Sequence, residues 1–91
     1  MQKMISIIIP FRDKTEFLSR CVSGILQKTT FKDYEIILVD NNSQKKETFD
    51  YLFEIKKNEK IKVLEYLRNF NFSAINNFAV EYAEGEFLLF Y

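Results

Sequence analysis

The sequence has no histidine and no tryptophan, and its 91 residues include only one cysteine, one proline and two glycines. Each shortage closes off a class of chemistry. Without histidine there is no histidine-based catalytic triad, and with Cys21 alone there is neither a disulfide framework nor a Cys/His zinc site. The first glycine is Gly24, inside a stretch with helical periodicity. The glycine-rich turn of a Rossmann dinucleotide unit and the phosphate loop of the P-loop enzymes are therefore both missing. Net charge is lacking too. Thirteen basic residues balance thirteen acidic ones, which leaves no overall field to draw the chain to nucleic acid. No apolar run approaches the roughly 18 residues that span a bilayer, and the first residues lack the basic, apolar and small-residue order of a signal peptide. A reducing, cytoplasmic setting is expected.

What the sequence does have is an alternation of strand and helix patterns. "ISIII" at Ile5 to Ile9 is a β-branched run expected to end at Pro10, which has no N–H to give to a ladder. Asp13 and Glu16 then have the spacing of a capping box, followed by Phe17, Leu18, Cys21, Val22, Ile25 and Leu26 on one helix face. Tyr34 to Asp40 reads as a second strand, and Ser43 is placed to cap a second helix with Phe49, Leu52 and Phe53 on one side. Lys60 to Leu67 reads as a third strand. From Ser73 a third helix places Ala74, Ile75, Phe78, Ala79, Tyr82 and Ala83 on one face, with Gly85 as its left-handed stop. "EFLLFY" then begins a fourth strand. This βαβαβαβ order predicts an α/β fold, an open and mostly parallel sheet with helices on both faces. The fourth strand is expected beside the first. Because the sequence stops within that apolar run, residues 1–91 are expected to be the N-terminal part of a longer domain, truncated after the fourth strand.

In an open parallel sheet, ligands bind outside the carboxyl ends of the strands, where the strand order reverses. Three segments fall on that edge: "PFRD" at Pro10 to Asp13, "DNNS" at Asp40 to Ser43 and "RNFNFS" at Arg68 to Ser73. Each is rich in amides, charges or aromatics. Any one of them can be read as an ordinary turn and cap; all three together point to a ligand site. A receiver-type phosphorylation domain would need an aspartate at the end of the third strand, where this chain has "EYLRN".

"SIIIPFRDK", "YEIILVDNNS" and "NFNFSAINNFAVEYAEGEFLLF", in this order and spacing, resemble the family 2 glycosyltransferases of the GT-A fold. The resemblance covers nearly the whole chain and implies its fold: the N-terminal, nucleotide-recognition half of a nucleotide-diphospho-sugar transferase domain. It implies a nucleoside-diphosphate sugar donor and, for the parent enzyme, a saccharide or lipid-linked acceptor in glycan biosynthesis, in the cytoplasm or at the inner membrane surface. It also implies a divalent metal, Mg or Mn, held in the parent by an acidic DxD-like motif that this chain lacks. The catalytic base lies later still, so the 91-residue chain alone is expected to be inactive. Two other classes stay open: a non-catalytic nucleotide-binding or interaction module of the same fold, and a sugar nucleotidyltransferase, whose glycine-rich basic loop "PFRDK" does not match.

The resemblance also suggests residues. Asp40 matches the family position that accepts a hydrogen bond from the donor's base; an acceptor-only carboxylate suits a uracil, thymine or guanine N–H and repels cytosine's ring nitrogen. The competing role for Asp40 is to cap the turn. Pro10 and Phe11 would lie against base or ribose, and Arg12 matches a position along the base, where a guanidinium can stack and offset diphosphate charge. Asn76 and Asn77 stand where the wider family has an Arg-Asn pair opening the helix, Asn71 where it often has glycine, and Arg68 could compensate for the missing charge. Asn41, Asn42 and Ser43 are expected mainly in turn and cap, Asp13 as a cap, and Phe70, Phe72 and Phe78 in the core. Ending on an unblunted apolar strand, the chain is expected either to self-associate through that sheet edge or to be only marginally stable.

Overall fold

A computed structural model describes residues 4–28, 34–85 and 87–90. The elements follow in the expected order: β1 (Ile5–Phe11), α1 (Thr15–Lys28), β2 (Tyr34–Asp40), α2 (Lys46–Ile55), β3 (Ile61–Glu65), α3 (Phe72–Val80) and β4 (Phe87–Phe90). All strand pairings are parallel, and the spatial order is β3-β2-β1-β4. The chain steps outward from β1 to β3, then returns to lay β4 on the other side of β1. The reversal therefore falls between β1 and β4. The expected boundaries of the last strand, Glu86 and Tyr91, lie outside the described residues.

A period of two sorts the sheet's side chains between two layers. Ile7, Ile9, Ile36 and Leu38 pack with Leu18 and Val22 of α1 and Leu52 of α2. Ile8, Ile37 and Val39 face the other way and pack with Ile75 and Ala79 of α3. β2 is buried along its whole length, as a parallel strand covered on both faces must be. Helices thus cover both faces as the sequence predicts, and no helix among the described residues is long and apolar enough to cross a membrane.

Several local expectations are corrected. β1 does not end at Pro10 but runs to Phe11, in register with Val39 and Asp40 of β2. The Phe11 carbonyl accepts from Asn41 N on the β2 side, so Pro10, its neighbour in a pleated strand, faces the β4 side. There the described pairing runs from Ile5 to Ile8, and among the described residues the missing N–H removes no ladder bond. Phe17 is 67% exposed, and Phe49 and Phe53 stand 48% and 57% exposed on α2, where Leu52 alone of the expected trio is buried. Helical spacing places a residue on a face, but the packing partners decide how far round the helix the burial extends.

The two glycines play opposite parts. Gly24 is inside α1 with no atom within 4 Å of where a Cβ would stand. Its only consequence is the extra backbone freedom lost on folding, so Gly24→Ala is expected to raise stability by about 0.5 to 1 kcal/mol, measured as a higher urea midpoint. A lower midpoint would show that the open space is needed. Gly85 is not the left-handed stop of α3: the helix ends at Val80, and no glycine has a positive φ. It lies instead against β1, where a Cβ would come within 2.5 Å of Ser6 Oγ, 2.7 Å of Ser6 N and 2.9 Å of Met4 O.

Around Gly85, at the amino-terminal end of the sheet, lies a polar network without a counterpart in the sequence reading. Glu35 is buried on β2, and its Oε2 accepts from Ser6 Oγ at 2.6 Å and from Glu84 N at 2.7 Å. Ser6 Oγ in turn accepts from Gly85 N at 2.9 Å. Lys62 Nζ stands 2.9 Å from Glu35 Oε1 and 3.4 Å from Glu84 Oε1. Burial pushes the Glu35 carboxyl up, but the bonds from Ser6, Glu84 and Lys62 outweigh it and hold the group below the usual value.

Candidate functional site at the carboxyl edge of the sheet

The three polar segments meet beyond the carboxyl ends of β1, β2 and β3, and they are fastened to each other more than to themselves. Asp13 N donates to Ser43 Oγ at 2.8 Å. The Asp13 carboxylate accepts from Gln44 N at 3.0 Å, Lys45 N at 2.9 Å and Thr48 Oγ1 at 3.0 Å. Thr15 Oγ1 and Thr48 Oγ1 are 2.9 Å apart. The expected caps are therefore crossed. Asp13 does not cap its own helix but bonds the two amides leading into α2, Gln44 N and that of the N-cap Lys45, which has no side-chain cap bond of its own. Ser43, expected to cap α2, accepts instead from the loop before α1. The Lys45 N–H, first among its bonds, holds the Asp13 carboxyl below its ordinary value. Positive φ values at Asp13, Lys14 and Asn42 (52°, 53° and 65°) mark the same edge. Asn and Asp tolerate this region, whereas Lys14 is strained in it.

Asp40 ends β2 with 4% of its surface exposed. Its Oδ1 accepts from Ser43 N at 2.9 Å, the turn-capping bond. Its other oxygen accepts no hydrogen bond among the described residues. Asp40 borders a pocket of about 270 Å³ lined also by Phe49, Leu52, Phe53, Lys56, Val63 and Glu65. That is slightly less than the smallest typical small-molecule pocket, about 300 Å³. Its walls combine aromatic rings with one ammonium and two carboxylates.

The other predicted site residues divide. Pro10, Phe11 and Arg12 do adjoin Asp40, since Phe11 pairs with it in register; Phe11 is half-buried against the α1/α2 core, and Arg12 is exposed. Arg68 is brought to the same edge: its carbonyl accepts from Asn41 Nδ2 at 2.8 Å and Asn42 Nδ2 at 3.0 Å. Its side chain makes no ion pair among the described residues, and it lines a second pocket of about 400 Å³ with Glu65, Tyr66, Leu67, Ala74, Phe78 and Glu81. Asn71 is the N-cap of α3, its side chain accepting from Ala74 N, in the place the sequence assigned to Ser73. Asn76 and Asn77 are not in the first turn, as expected, but are the fifth and sixth residues of α3. Asn76 is buried with an unpartnered Oδ1; Asn77 is exposed. Of the phenylalanines expected in the core, Phe78 packs there against Tyr66 and the α3 layer, while Phe70 and Phe72 are 66% and 54% exposed. Asn41 was the residue most underrated. It is buried, and its side chain leaves its own turn to hold Tyr66 O and Arg68 O, a reach that no local spacing announces.

An open parallel sheet ordered 3-2-1-4, with polar segments beyond the carboxyl ends of its strands, agrees with the GT-A fold that the sequence resemblance implies. The mannosyltransferase PcManGT from Pyrobaculum calidifontis, solved in complex with GDP-Man and Mn2+, superimposes on 97% of this chain with a TM-score of 0.81, at 15% sequence identity and over 26% of its own length. The chain belongs to glycosyl transferase family 2, whose model matches residues 6–91. It is 41% identical over 86 residues to the O-antigen biosynthesis protein RfbC of Myxococcus xanthus. It is 37% identical over 89 residues to the poly(ribitol-phosphate) beta-glucosyltransferase of Bacillus spizizenii. Each match takes in 94% of this chain but only 7% and 14% of those relatives' lengths.

Proposed function

We propose that the carboxyl edge of this sheet binds the nucleoside-diphosphate part of a sugar donor, and that the protein to which it belongs transfers the sugar to a saccharide or lipid-linked acceptor. The observation that carries this reading is the divided carboxylate of Asp40, with one oxygen committed to Ser43 N and the other unpartnered beside an aromatic-walled pocket. That oxygen is not one of the fully buried side-chain atoms left without a partner, so it is open to a donor from a ligand. A uracil, thymine or guanine N–H would satisfy it. In this reading Pro10, Phe11 and Arg12 lie against the base and ribose, and Arg68, Asn76 and Asn77 lie toward the charged part of the donor, with Asn71 holding the start of α3. A divalent metal, Mg or Mn, would neutralise the diphosphate. Among the described residues no cluster of three or more carboxylate or thiol groups could hold such an ion, so its ligands would come from elsewhere in the longer protein. The similarity to a transferase solved in complex with GDP-Man and to a glucosyltransferase supports a sugar nucleotide over other ligands of the fold.

Calorimetric titration with UDP, dTDP, GDP and CDP tests the reading. At least one of the first three is expected to bind saturably and CDP is not, because its ring nitrogen would face the carboxylate. Asp40→Asn is expected to weaken binding by roughly ten- to a hundredfold, the worth of a charge-assisted hydrogen bond. Unchanged affinity in a folded variant would return Asp40 to turn capping alone. No binding of any nucleotide by the wild type would favour a non-catalytic interaction module.

A further inference from the structure

Asn41 has the makings of a device rather than a turn residue. It is 3% exposed at the end of β2, next to Asp40. Its main-chain N–H holds Phe11 O at 2.8 Å. Both protons of its side-chain amide go to a single distant stretch, to Tyr66 O at 3.0 Å and Arg68 O at 2.8 Å. One residue therefore ties together the ends of all three strands that carry the candidate site.

The bland account is that a buried amide must find partners somewhere. That account leaves unexplained where these partners lie. Both carbonyls belong to the connection between β3 and α3, whose residues Leu67 and Phe70 are exposed and contribute little packing to hold it. Asn42 adds a further donor to the same Arg68 carbonyl at 3.0 Å. An arginine whose main chain is gripped by two amides, and whose guanidinium has no carboxylate partner among the described residues, is set up to meet an anion. Fixing the connection in advance spares the ligand the entropy of ordering it.

We propose that Asn41 is a positioning residue of the nucleotide site, holding the Tyr66–Arg68 main chain so that the Arg68 guanidinium is presented to the diphosphate of the donor. The proposal rests on the nucleotide reading given above and adds to it a means by which the third strand end is held ready.

The test pairs affinity for UDP, or for dTDP or GDP where one of these is the nucleotide that binds, with amide hydrogen exchange for Asn41→Ala, Arg68→Ala and the double variant. Asn41→Ala is expected to weaken nucleotide binding about tenfold and to speed exchange at residues 67–71, leaving the β1 and β2 amides protected. In the Arg68→Ala background the further loss from Asn41→Ala is expected to stay within about twofold, because the two act through one contact. Losses that multiply in full, or unchanged exchange at residues 67–71, would overturn the proposal. A wild type that binds none of UDP, dTDP and GDP, with exchange at those residues still raised by Asn41→Ala, would fault the nucleotide reading and reduce Asn41 to a structural staple. Should Asn41→Ala fail to fold, Asn42→Gly suits the left-handed backbone at that position and removes one donor from Arg68 O; it is expected to produce both changes at smaller size, and their absence would overturn the proposal.

Discussion

Replacing Glu35 with alanine is expected to lower stability by about 3 kcal/mol, because one buried carboxylate serves several donors at once. Its loss leaves Ser6 Oγ and Glu84 N without their acceptor and Lys62 without its nearest anion. Removing one partner of a buried pair costs about 3 to 5 kcal/mol. The Lys62 side chain is 36% exposed and can turn to water, which places the effect at the low end. The pH dependence has a definite sign. The Glu35 carboxyl titrates below its ordinary 4.5 in the folded protein, so its contribution is fully present above that value and is lost as pH falls through the folded-state one. Lys62 is raised above 10.5, by Glu35 first, so its share is present below 10.5 and is lost as pH rises through the folded-state value. Thermal unfolding from pH 7 down to pH 2 should show a wild-type acid limb that is shallower in Glu35→Gln. An alanine variant as stable as the wild type at pH 7 would mean that the network holds nothing together.

The second large effect is expected at Gly85. An added methyl would meet Ser6 N and Met4 O as well as Ser6 Oγ, all inside 3.0 Å. Two of those atoms are main chain beside or within a central strand and cannot swing aside. Overpacking of this kind costs about 1 to 3 kcal/mol, and the rigidity of the neighbours puts Gly85→Ala near the upper figure. Ser6→Ala in the same chain removes the hydroxyl but neither main-chain contact, so rescue should be partial at best. Urea midpoints of the single and double variants decide the matter. A Gly85→Ala protein with an unmoved midpoint would show that the backbone at Glu84 and Gly85 can shift away freely. The same substitution at Gly24 is expected to act in the opposite direction, which separates crowding from backbone entropy within one protein.

The order of elements was legible because burial on both faces of β1 and β2 leaves an unbroken aliphatic run that few other arrangements tolerate. The placement of β4 beside β1 followed from the same logic and from the resemblance. At the carboxyl edge, Asp40 and Arg68 could be picked out as polar residues ending strands, but their partners could not. The Asp13 and Ser43 caps were misassigned because capping patterns are read along the chain, whereas these hydrogen bonds cross between loops some thirty positions apart. Phe17, Phe49 and Phe53 satisfied helical spacing and still stand exposed, since spacing fixes direction and only the neighbouring layer fixes depth. The Glu35 network joins residues with no shared motif. A serine in an aliphatic strand, an acid opening another and a glycine after a helix become one unit only when the sheet aligns them.

The crossed cap of α2 bears on how the protein folds. At ten residues, α2 is shorter than the roughly 12 to 15 that hold a helix together in isolation, and its own N-cap lysine contributes no side-chain bond. The acceptor for the two amides just ahead of it, Gln44 N and Lys45 N, and for the Thr48 hydroxyl in its first turn, comes from the loop after β1, more than thirty residues upstream. That carboxylate reaches them only once β1 lies alongside β2 in register, after the entropy of closing the intervening loop has been overcome. The backbone bonds of its first turn, from Thr48 N and Phe49 N to Lys45 O, are local, so what the pairing of the two central strands adds is an anchor: a long-range contact fixes where the helix begins.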